Sequence, residues 1–265
     1  MTTRTHDLTV TTAELGPVPL RVTDRGEGRP VLLLHGGAGP VSVAAFADLL
    51  AAQRPARVLT PTHPGFDGTT RPDAVTTVRD LAALYAGLLD ALDLDDVVVV
   101  GNSVGGWIAA ELGLLRPKRV SALVIVDAVG IEVPGHPVVD FFSLSFPEIA
   151  KVSYADPERF RIDPEALPPA ARQAMAGNRA SLAVYGGTSM ADPGLHDRLA
   201  GMDLPTLVVW GEADGVADPE YGRAFAEAVP GARYLLLRGT GHLPQIETPE
   251  QLLEPLWAFA AEHHA

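Results

Sequence analysis

Uninterrupted apolar runs are the feature of this chain that most restricts its fold. Apolar and polar residues do not alternate within them, as they would in a strand with one solvated face. Strands buried on both faces have this composition, and they belong to a parallel sheet covered by helices. The runs are VLLL at 31–34, VVVV at 97–100, LVIV at 123–126, LVVW at 207–210 and YLLL at 234–237. We therefore expect these segments to be neighbouring strands of one sheet.

Helical patterns lie between the runs. Apolar residues spaced i, i+3, i+4, i+7 begin at Val78, after TTVRD, which resembles a capping box with Asp80 in place of glutamate. A second pattern follows Pro249, at a position suited to a first helical turn. Residues 7–12 and 18–24 alternate instead, and they predict an antiparallel hairpin at the sheet edge. Strands that alternate with helices predict the α/β class, with a mostly parallel sheet flanked by helices.

One region, residues 130–201, interrupts this rhythm. It contains no strand-like run, it is dense in proline, and its later part has short helical patterns. A long stretch without secondary structure is uncommon inside a compact domain. An insertion before the run at 207–210 would lie over the carboxyl ends of the strands, where α/β sheets bind ligands. We predict a core domain formed by residues 1–129 and 202–265, with residues 130–201 as a helical lid.

A single serine stands at the turn between a predicted buried strand and a predicted helix. Gly101-Asn102-Ser103-Val104-Gly105 fits the pattern G-x-S-x-G, which is weak by itself in a glycine-rich chain. Its position makes it specific, because this pattern places a nucleophile on a sharp strand-to-helix turn. Small residues on either side would relieve crowding around the Cβ atom of Ser103, and Gly106 would let the helix approach the sheet. Ser103 is the predicted nucleophile.

A serine hydroxyl needs a base, and the base needs an acid that orients it. His242 follows the run at 234–237 and is the predicted base, whereas His63 is interpreted as a structural loop residue. Asp214 follows the run at 207–210 and is the predicted acid. Asp127, directly after the run at 123–126, is the competing candidate. The order serine, acid, histidine along the chain is that of hydrolases with a nucleophile elbow.

Glycines directly after the first run predict an oxyanion hole. The loop LHGGAGP would supply the backbone N–H of Gly37, and the start of the elbow helix would supply that of Val104. A nucleotide-binding turn is excluded, because Gly39 precedes Pro40 and the third glycine of G-x-G-x-x-G is missing. Ligand spacing for a metal is absent from the sequence. We expect neither a cofactor nor a metal.

Charge and composition restrict the partners. The 265 residues include no cysteine, which excludes thiolate catalysis and Cys-ligated zinc, and the formal net charge of −13 would repel phosphates. Apolar runs are too short to span a membrane, and the first residues lack the pattern of a cleaved signal. We expect a cytoplasmic protein with a small-molecule substrate, no nucleic acid and no membrane partner. The oligomeric state is not predicted.

Five motifs in this order resemble the α/β-hydrolase superfamily: LHGGAGP, HPGFDGT, GNSVGGW, WGEADG and GHLPQIETPE. The resemblance covers essentially the whole chain and implies the α/β-hydrolase fold, with Ser103, Asp214 and His242 as its triad. Asn102 and the glycines after the serine are also similar to meta-cleavage-product hydrolases, which cleave C–C bonds in vinylogous diketo acids. Those enzymes usually carry tryptophan after the histidine, where this chain has Leu243.

The predicted function is hydrolysis of a small carboxylic ester through an acyl-enzyme. Cleavage of a C–C bond is the second hypothesis, and a ligand receptor on the same fold is the third. A receptor would process its ligand about once and stall, so turnover separates it from an enzyme. Two residues are candidates for substrate binding. Trp107 either lines the pocket or packs in the core. Arg179 either pairs with a substrate carboxylate or lies at the solvated surface of the lid.

Overall fold

The computed structural model describes residues 2–264. Its strands are β1 (Thr3–Thr12), β2 (Gly16–Gly26), β3 (Arg29–Leu34), β4 (Ala56–Thr62), β5 (Val97–Asn102), β6 (Val120–Val126), β7 (Thr206–Gly211) and β8 (Arg233–Leu237). All the apolar runs of the sequence are strands, as predicted. They are β3, β5, β6, β7 and β8.

The strands form one sheet in the order β1-β2-β4-β3-β5-β6-β7-β8. From β4 to β8 neighbouring strands are parallel, whereas β1 pairs antiparallel with β2, and β2 antiparallel with β4. The predicted antiparallel hairpin at the edge is thus confirmed. Parallel strands end at the same edge of a sheet, so the loops after β3, β5, β6, β7 and β8 converge there.

Helices lie on both sides of the sheet. They are α1 (Val41–Gln53), α2 (Val78–Ala91), α3 (Val104–Leu114), α4 (Phe146–Ser153), α5 (Pro157–Phe160), α6 (Pro169–Gly186), α7 (Leu195–Leu199), α8 (Pro219–Ala228), α9 (Pro244–Glu247) and α10 (Pro249–Glu262). The predicted capping box starts α2, because the Thr77 hydroxyl accepts from the Asp80 N–H and the Asp80 carboxylate accepts from the Thr77 N–H. Across residues 2–264, no helix combines the length and apolar character needed to cross a lipid bilayer.

The sheet has a separate hydrophobic core on each face. Val97 and Val99 of β5 lie in one core, and Val98 and Val100 lie in the other. Successive residues of a strand point to opposite faces, so each valine fills one side. Helices α1 and α10 cover one face, and α2, α3 and α8 cover the other. This two-sided burial explains why the sequences of β3, β5, β6 and β7 do not alternate. The expectation of full burial is wrong for β8, because this strand lies at the sheet edge and is only partly buried.

Residues 130–201, here called the β6–β7 segment, contain helices α4 to α7 and a 3₁₀ helix at Pro164–Ala166. Within the part of the chain that the structure describes, the segment adds no strand to the sheet. Its helices follow proline or capping residues: Ser145 caps α4 and Asp156 caps α5. The helical content agrees with the sequence pattern.

Helix α6 of the β6–β7 segment is attached to two loops of the core. Asn178 donates from Nδ2 to the carbonyl of Ala38 at 3.2 Å and accepts at Oδ1 from the N–H of Asp67 at 2.7 Å. The hydroxyl of Tyr185 donates to the carbonyl of Pro64 at 2.7 Å. The helix therefore lies beside the glycine loop that follows β3 and the loop that follows β4.

Candidate active site

Ser103 sits at the junction of β5 and α3 in strained backbone geometry. Its φ is 58° and its ψ is −123°, a region that residues with a Cβ atom rarely adopt. Asn102 ends β5 and Val104 begins α3, so the turn between strand and helix is a single residue. A Cβ added at Gly106 would lie 2.6 Å from the Cβ of Ala128, so α3 approaches the sheet as closely as the sequence predicts.

The glycines around Ser103 are required by backbone contacts. A Cβ added at Gly101 would lie 2.0 Å from the carbonyl oxygen of Gly105. A Cβ at Gly105 would lie 2.3 Å from the carbonyl oxygen of Leu34. The expectation that these positions crowd the Cβ of Ser103 is therefore wrong, because the close contacts are with main-chain atoms of Gly105 and Leu34. The small residues let the elbow close on itself and on β3.

The two predicted oxyanion donors lie on either side of the elbow. Val104 is the first residue of α3, so its N–H has no acceptor within the helix. A Cβ added at Gly36 would lie 3.0 Å from the Cβ of Ser103, which brings the glycine loop next to the nucleophile position. Gly37 follows in the same loop. Its role as a donor, with that of Val104, remains a prediction.

Asp214 and His242 are hydrogen-bonded to each other at the carboxyl edge of the sheet. The ring Nδ1 of His242 lies 2.8 Å from Oδ2 of Asp214, and the residues are 5% and 4% exposed. Oδ1 of Asp214 accepts from the N–H groups of Val216 and Ala217 at 2.8 and 3.1 Å. An Nδ1–H that donates to Asp214 leaves Nε2 as a proton acceptor. This geometry is the one that a base and its orienting acid require.

A buried amide network fixes the loop that carries His242. Asn102 donates from Nδ2 to the carbonyl of His242 at 2.9 Å, and Gln245 donates from Nε2 to Oδ1 of Asn102 at 3.0 Å. From the opposite side, the N–H of His242 donates to the carbonyl of Ser153 at 2.8 Å. Sequence reasoning missed these positioning roles, although Asn102 beside Ser103 was a visible signal. The contacts join residues that are far apart in the chain.

Asp127, the competing acid, is buried beside this pair. One carboxylate oxygen of Asp127, one of Asp214 and one ring nitrogen of His242 lie within 4.8 Å of one another. The carboxylate that accepts the hydrogen bond from Nδ1–H of His242 is that of Asp214. Two carboxylates and an imidazole are also a donor set that a cation could bind, but binding there would break the Asp214–His242 hydrogen bond.

The two candidates for substrate binding lie in different surroundings. Trp107 is 4% exposed and belongs to the core, where a Cβ added at Gly130 would lie 2.6 Å from its indole ring. Its Nε1 has no hydrogen-bond partner among residues 2–264. Arg179 donates from Nη2 to the carbonyls of Phe141, at 3.1 Å, and Phe142, and its guanidinium lies over both rings. Contact of either residue with substrate remains a prediction.

A pair of buried histidines supports the glycine loop. His35 and His63 stack with ring centroids 3.7 Å apart, and neither is exposed. The N–H of His63 donates to Nε2 of His35, so Nδ1–H of His35 donates to the carbonyl of Gly36. Nε2–H of His63 donates to the carbonyl of His35, so its Nδ1 accepts from the Tyr85 hydroxyl. Each ring is therefore neutral, in a defined tautomer, and His63 has the structural role predicted for it.

This arrangement predicts a loss of stability in acid. Burial lowers the pKa of His63 to about 4, and burial and the neighbouring His63 lower the pKa of His35 well below its usual value. The unfolded chain binds a proton on His63 below about pH 6.5, whereas the folded chain does so only near pH 4. The free energy of unfolding should rise with pH across this window, with up to about 3 kcal/mol from His63.

Urea unfolding measured at several pH values across this window tests the prediction. His63→Gln should flatten the pH dependence by about one proton, and His196→Gln, at an exposed position of α7, is the matched control. Nitrogen chemical shifts of the His63 ring should report the neutral tautomer at pH values where exposed histidines are already protonated. A charged His63 ring there, or a slope that His63→Gln leaves unchanged, would contradict the prediction.

Comparisons with known proteins agree with this architecture. The chain is 40% identical to 2-hydroxy-6-oxo-2,4-heptadienoate hydrolase of Pseudomonas putida, over 44% of this chain and 43% of that protein. It is 28% identical to 2-hydroxymuconate semialdehyde hydrolase of Pseudomonas putida, over 91% of this chain and 90% of that protein. Among solved structures, a thermophilic esterase from Thermogutta terrifontis superposes with a TM-score of 0.78, at 24% identity, over 98% of this chain and 100% of that one.

The family comparison covers most of the chain. The sequence model described as the alpha/beta hydrolase family matches residues 31–254, from β3 into α10. That range includes the elbow, the Asp214–His242 pair and the whole β6–β7 segment. The similarity to the esterase is a similarity of fold, and it agrees with the mostly parallel sheet flanked by helices. The chain belongs to the alpha/beta hydrolase family.

Proposed function

We propose that this protein is a serine hydrolase that cleaves a small carboxylic ester through an acyl-enzyme. The observation that carries the proposal is the buried hydrogen bond between Asp214 and His242, at the sheet edge where the strained Ser103 also stands. Acyl transfer requires a nucleophile, an acid and a base, and Ser103, Asp214 and His242 follow one another along the chain in the order typical of this fold.

The mechanism follows from the roles of these groups. Oγ of Ser103 attacks the ester carbonyl while Nε2 of His242 takes its proton, and Asp214 stabilises the imidazolium. The N–H groups of Gly37 and Val104 bind the oxyanion of the tetrahedral intermediate. His242 then protonates the leaving alcohol, and a water molecule activated by the same histidine hydrolyses the acyl-enzyme. Ser103 is regenerated with its proton.

The β6–β7 segment acts, in this proposal, as a lid over the site. Its contacts support that role, because they reach the loops of both catalytic partners. The N–H of His242 donates to the carbonyl of Ser153, and the N–H of Gly215 donates to the carbonyl of Val152 at 2.9 Å. Helix α6 is attached to the glycine loop on the other side. A lid with these attachments would shield the site from bulk solvent and still admit the single water molecule that hydrolyses the acyl-enzyme.

Two contacts support a small, uncharged substrate. Leu182 of α6 is buried, and its Cδ2 atom lies 2.6 Å from the position that a Cβ on Gly37 would occupy. Little room therefore remains beside this oxyanion donor for a bulky acyl group. Arg179 already donates to two main-chain carbonyls and lies over two phenyl rings. A substrate carboxylate would have to compete with those partners for its guanidinium.

Cleavage of a C–C bond is the second candidate. A specific observation favours it, since the relative with 40% identity is a 2-hydroxy-6-oxo-2,4-heptadienoate hydrolase. That chemistry needs a carbon leaving group that is first protonated to a ketone, in a pocket that holds an extended diketo acid. It would use Ser103 and His242 but would also need a cation for the carboxylate. Arg179 is the residue that we nominate for that role.

Competing substrates separate the two bond types. We expect turnover of short p-nitrophenyl esters, with loss of this activity in His242→Ala, and little cleavage of a 2-hydroxy-6-oxo-dienoate. Steady-state kcat/KM for both substrates is the measurement. Arg172→Ala, at an exposed position of α6, is the matched control for Arg179→Ala.

Three outcomes would each contradict the proposed ester hydrolysis or its mechanism. A dienoate kcat/KM well above the ester value, lost selectively in Arg179→Ala but kept in Arg172→Ala, would replace the ester proposal with C–C hydrolysis. Release of one equivalent of product per chain followed by a stall would indicate a ligand receptor. Full ester turnover in His242→Ala would remove the proposed base from the mechanism.

A further inference from the structure

Asp127 is a buried carboxyl group that the proposed mechanism does not use. It follows β6 directly, is 0% exposed, and has a φ of 44°, in the left-handed region. Its Oδ1 accepts from the N–H of Gly211 at 2.7 Å. Its Oδ2 accepts no hydrogen bond from an N–H or O–H group of the described residues. A buried carboxylate oxygen without a donor is costly, so the state of this group needs an explanation.

The contrast with Asp214 gives that explanation. Asp214 accepts three hydrogen bonds, from the N–H groups of Val216 and Ala217 and from Nδ1 of His242. These donors stabilise an ionised carboxylate. Asp127 receives one such bond. If only one of the two groups is ionised, the contacts assign the charge to Asp214.

The two carboxyl groups are close enough to influence each other. An oxygen of Asp127 lies within 4.8 Å of both an oxygen of Asp214 and a ring nitrogen of His242. Two buried carboxylates this close cannot both ionise without a large cost. Burial, followed by the charge of Asp214, raises the pKa of Asp127 well above its usual value. Tyr234 of β8 is a titratable group on which the charges of both aspartates act, and its hydroxyl donates to the carbonyl of Pro219 at 3.1 Å.

We propose that Asp127 carries a proton on Oδ2 at neutral pH and donates it in a hydrogen bond to the carboxylate of Asp214. Asp127 is then a positioning residue, which acts on the base through the acid. The inference rests on the proposed function in one respect, namely that the Asp214–His242 pair works as the acid and base of a triad.

Such a hydrogen bond would have two consequences for the site. It gives the Asp214 carboxylate one more partner beside His242 and the two main-chain N–H groups, which limits its rotation. It also draws negative charge toward Asp127, so that the attraction of Asp214 for the imidazolium is moderated. Asp127 thus acts on the base through Asp214, without a hydrogen bond of its own to His242.

Infrared spectroscopy detects the proton directly. The difference spectrum between the wild type and Asp127→Asn, at neutral pH in deuterated buffer after dialysis against a chelator, should contain the carbonyl band of a protonated carboxylic acid. The same difference taken in the Ser103→Ala background should also contain it, because the band does not depend on turnover. Absence of the band at neutral pH would overturn the proposal, whatever the enzyme does.

Kinetics tests the positioning role. In Asp127→Asn the side-chain amide offers N–H where the protonated acid offers O–H, so this variant should retain kcat within about threefold. Asp127→Ala removes the donor and should lower kcat about tenfold or more, with the acidic limb of the kcat/KM profile moved to higher pH. An ionised Asp127 would give a different result, since Asp127→Asn would then remove a charge and move that limb to lower pH.

A failure of this proposal can be distinguished from a failure of the proposed function. Equal losses in Asp127→Asn and Asp127→Ala would overturn the hydrogen-bonding role. If Asp127→Ala fails to fold, the infrared band and the pH profile of Asp127→Asn still test whether Asp127 is protonated. If the wild type hydrolyses no ester and the band is present, the proposed function fails while the protonated carboxyl stands.

Discussion

Ser103→Ala is expected to abolish labelling by a fluorophosphonate probe and to lower kcat for ester hydrolysis by roughly 10⁶. The probe reacts with an activated serine hydroxyl, and Ser103 is the serine that stands at the strand-to-helix turn near the Asp214–His242 pair. Alanine retains the Cβ atom, so the backbone at φ 58° carries the same strain and the fold should be unchanged. Labelling is measured by mass spectrometry, and the fold by circular dichroism and thermal unfolding.

Ser143→Ala is the matched control for this prediction. Ser143 is exposed, and its hydroxyl donates to the carbonyl of Asp140 at 2.8 Å. Labelling and kcat should be the same in this variant as in the wild type. Labelling that survives in Ser103→Ala would identify another nucleophile and remove the proposed triad.

Asp214→Asn is expected to lower kcat by roughly 10⁴, with a much smaller change in KM. The amide would present N–H to Nδ1 of His242, where the carboxylate now accepts. The ring would then hold the other tautomer, with its proton on Nε2, and could not take the proton of Ser103. The same substitution removes the charge that stabilises the imidazolium in the transition state. Stopped-flow or steady-state hydrolysis of a p-nitrophenyl ester measures the loss.

Asp127→Asn is the natural comparison, because Asp127 is an equally buried aspartate at the end of the preceding strand of the sheet. It should cost far less than Asp214→Asn. If Asp127→Asn were the more damaging substitution, the acid of the triad would have to be reassigned to Asp127. The two variants together therefore test the placement of the acid, independently of the nucleophile.

The strands and the elbow could be predicted because their signals are local. Val97 to Val100 are apolar on both faces of the strand, so four consecutive residues of the sequence indicate its burial. The elbow is equally local, since Gly101, Ser103 and Gly105 are constrained by the turn that they form and by the adjacent β3. The capping box at Thr77 and Asp80 is a contact across three residues.

Contacts between distant segments could not be predicted in the same way. Asp127 and Asp214 both follow buried strands, and only the loop after β8 decides which of them meets His242. Asn102 reaches the carbonyl of His242 across 140 positions of the chain. The contacts of Arg179 with Phe141 and Phe142 could not be predicted either, because these partners belong to a loop outside its own helix. Periodicity and motif spacing carry no information about such pairs.

The attachment of α6 to the core has an evolutionary consequence. Asn178, Ser181 and Tyr185 bind main-chain atoms of the loops at 38 and 64–67, and main-chain atoms persist through any substitution there. Substitutions that leave the loop backbone in place can thus accumulate without detaching the helix, except at Gly65, where an added Cβ would lie 2.4 Å from Oγ of Ser181. The exposed positions of α6 that do not serve as anchors are also free to change, Val184 among them. Descendants that keep the side chains of Asn178, Ser181 and Tyr185 can therefore vary elsewhere in α6 and inherit the same attachment of the helix to the core.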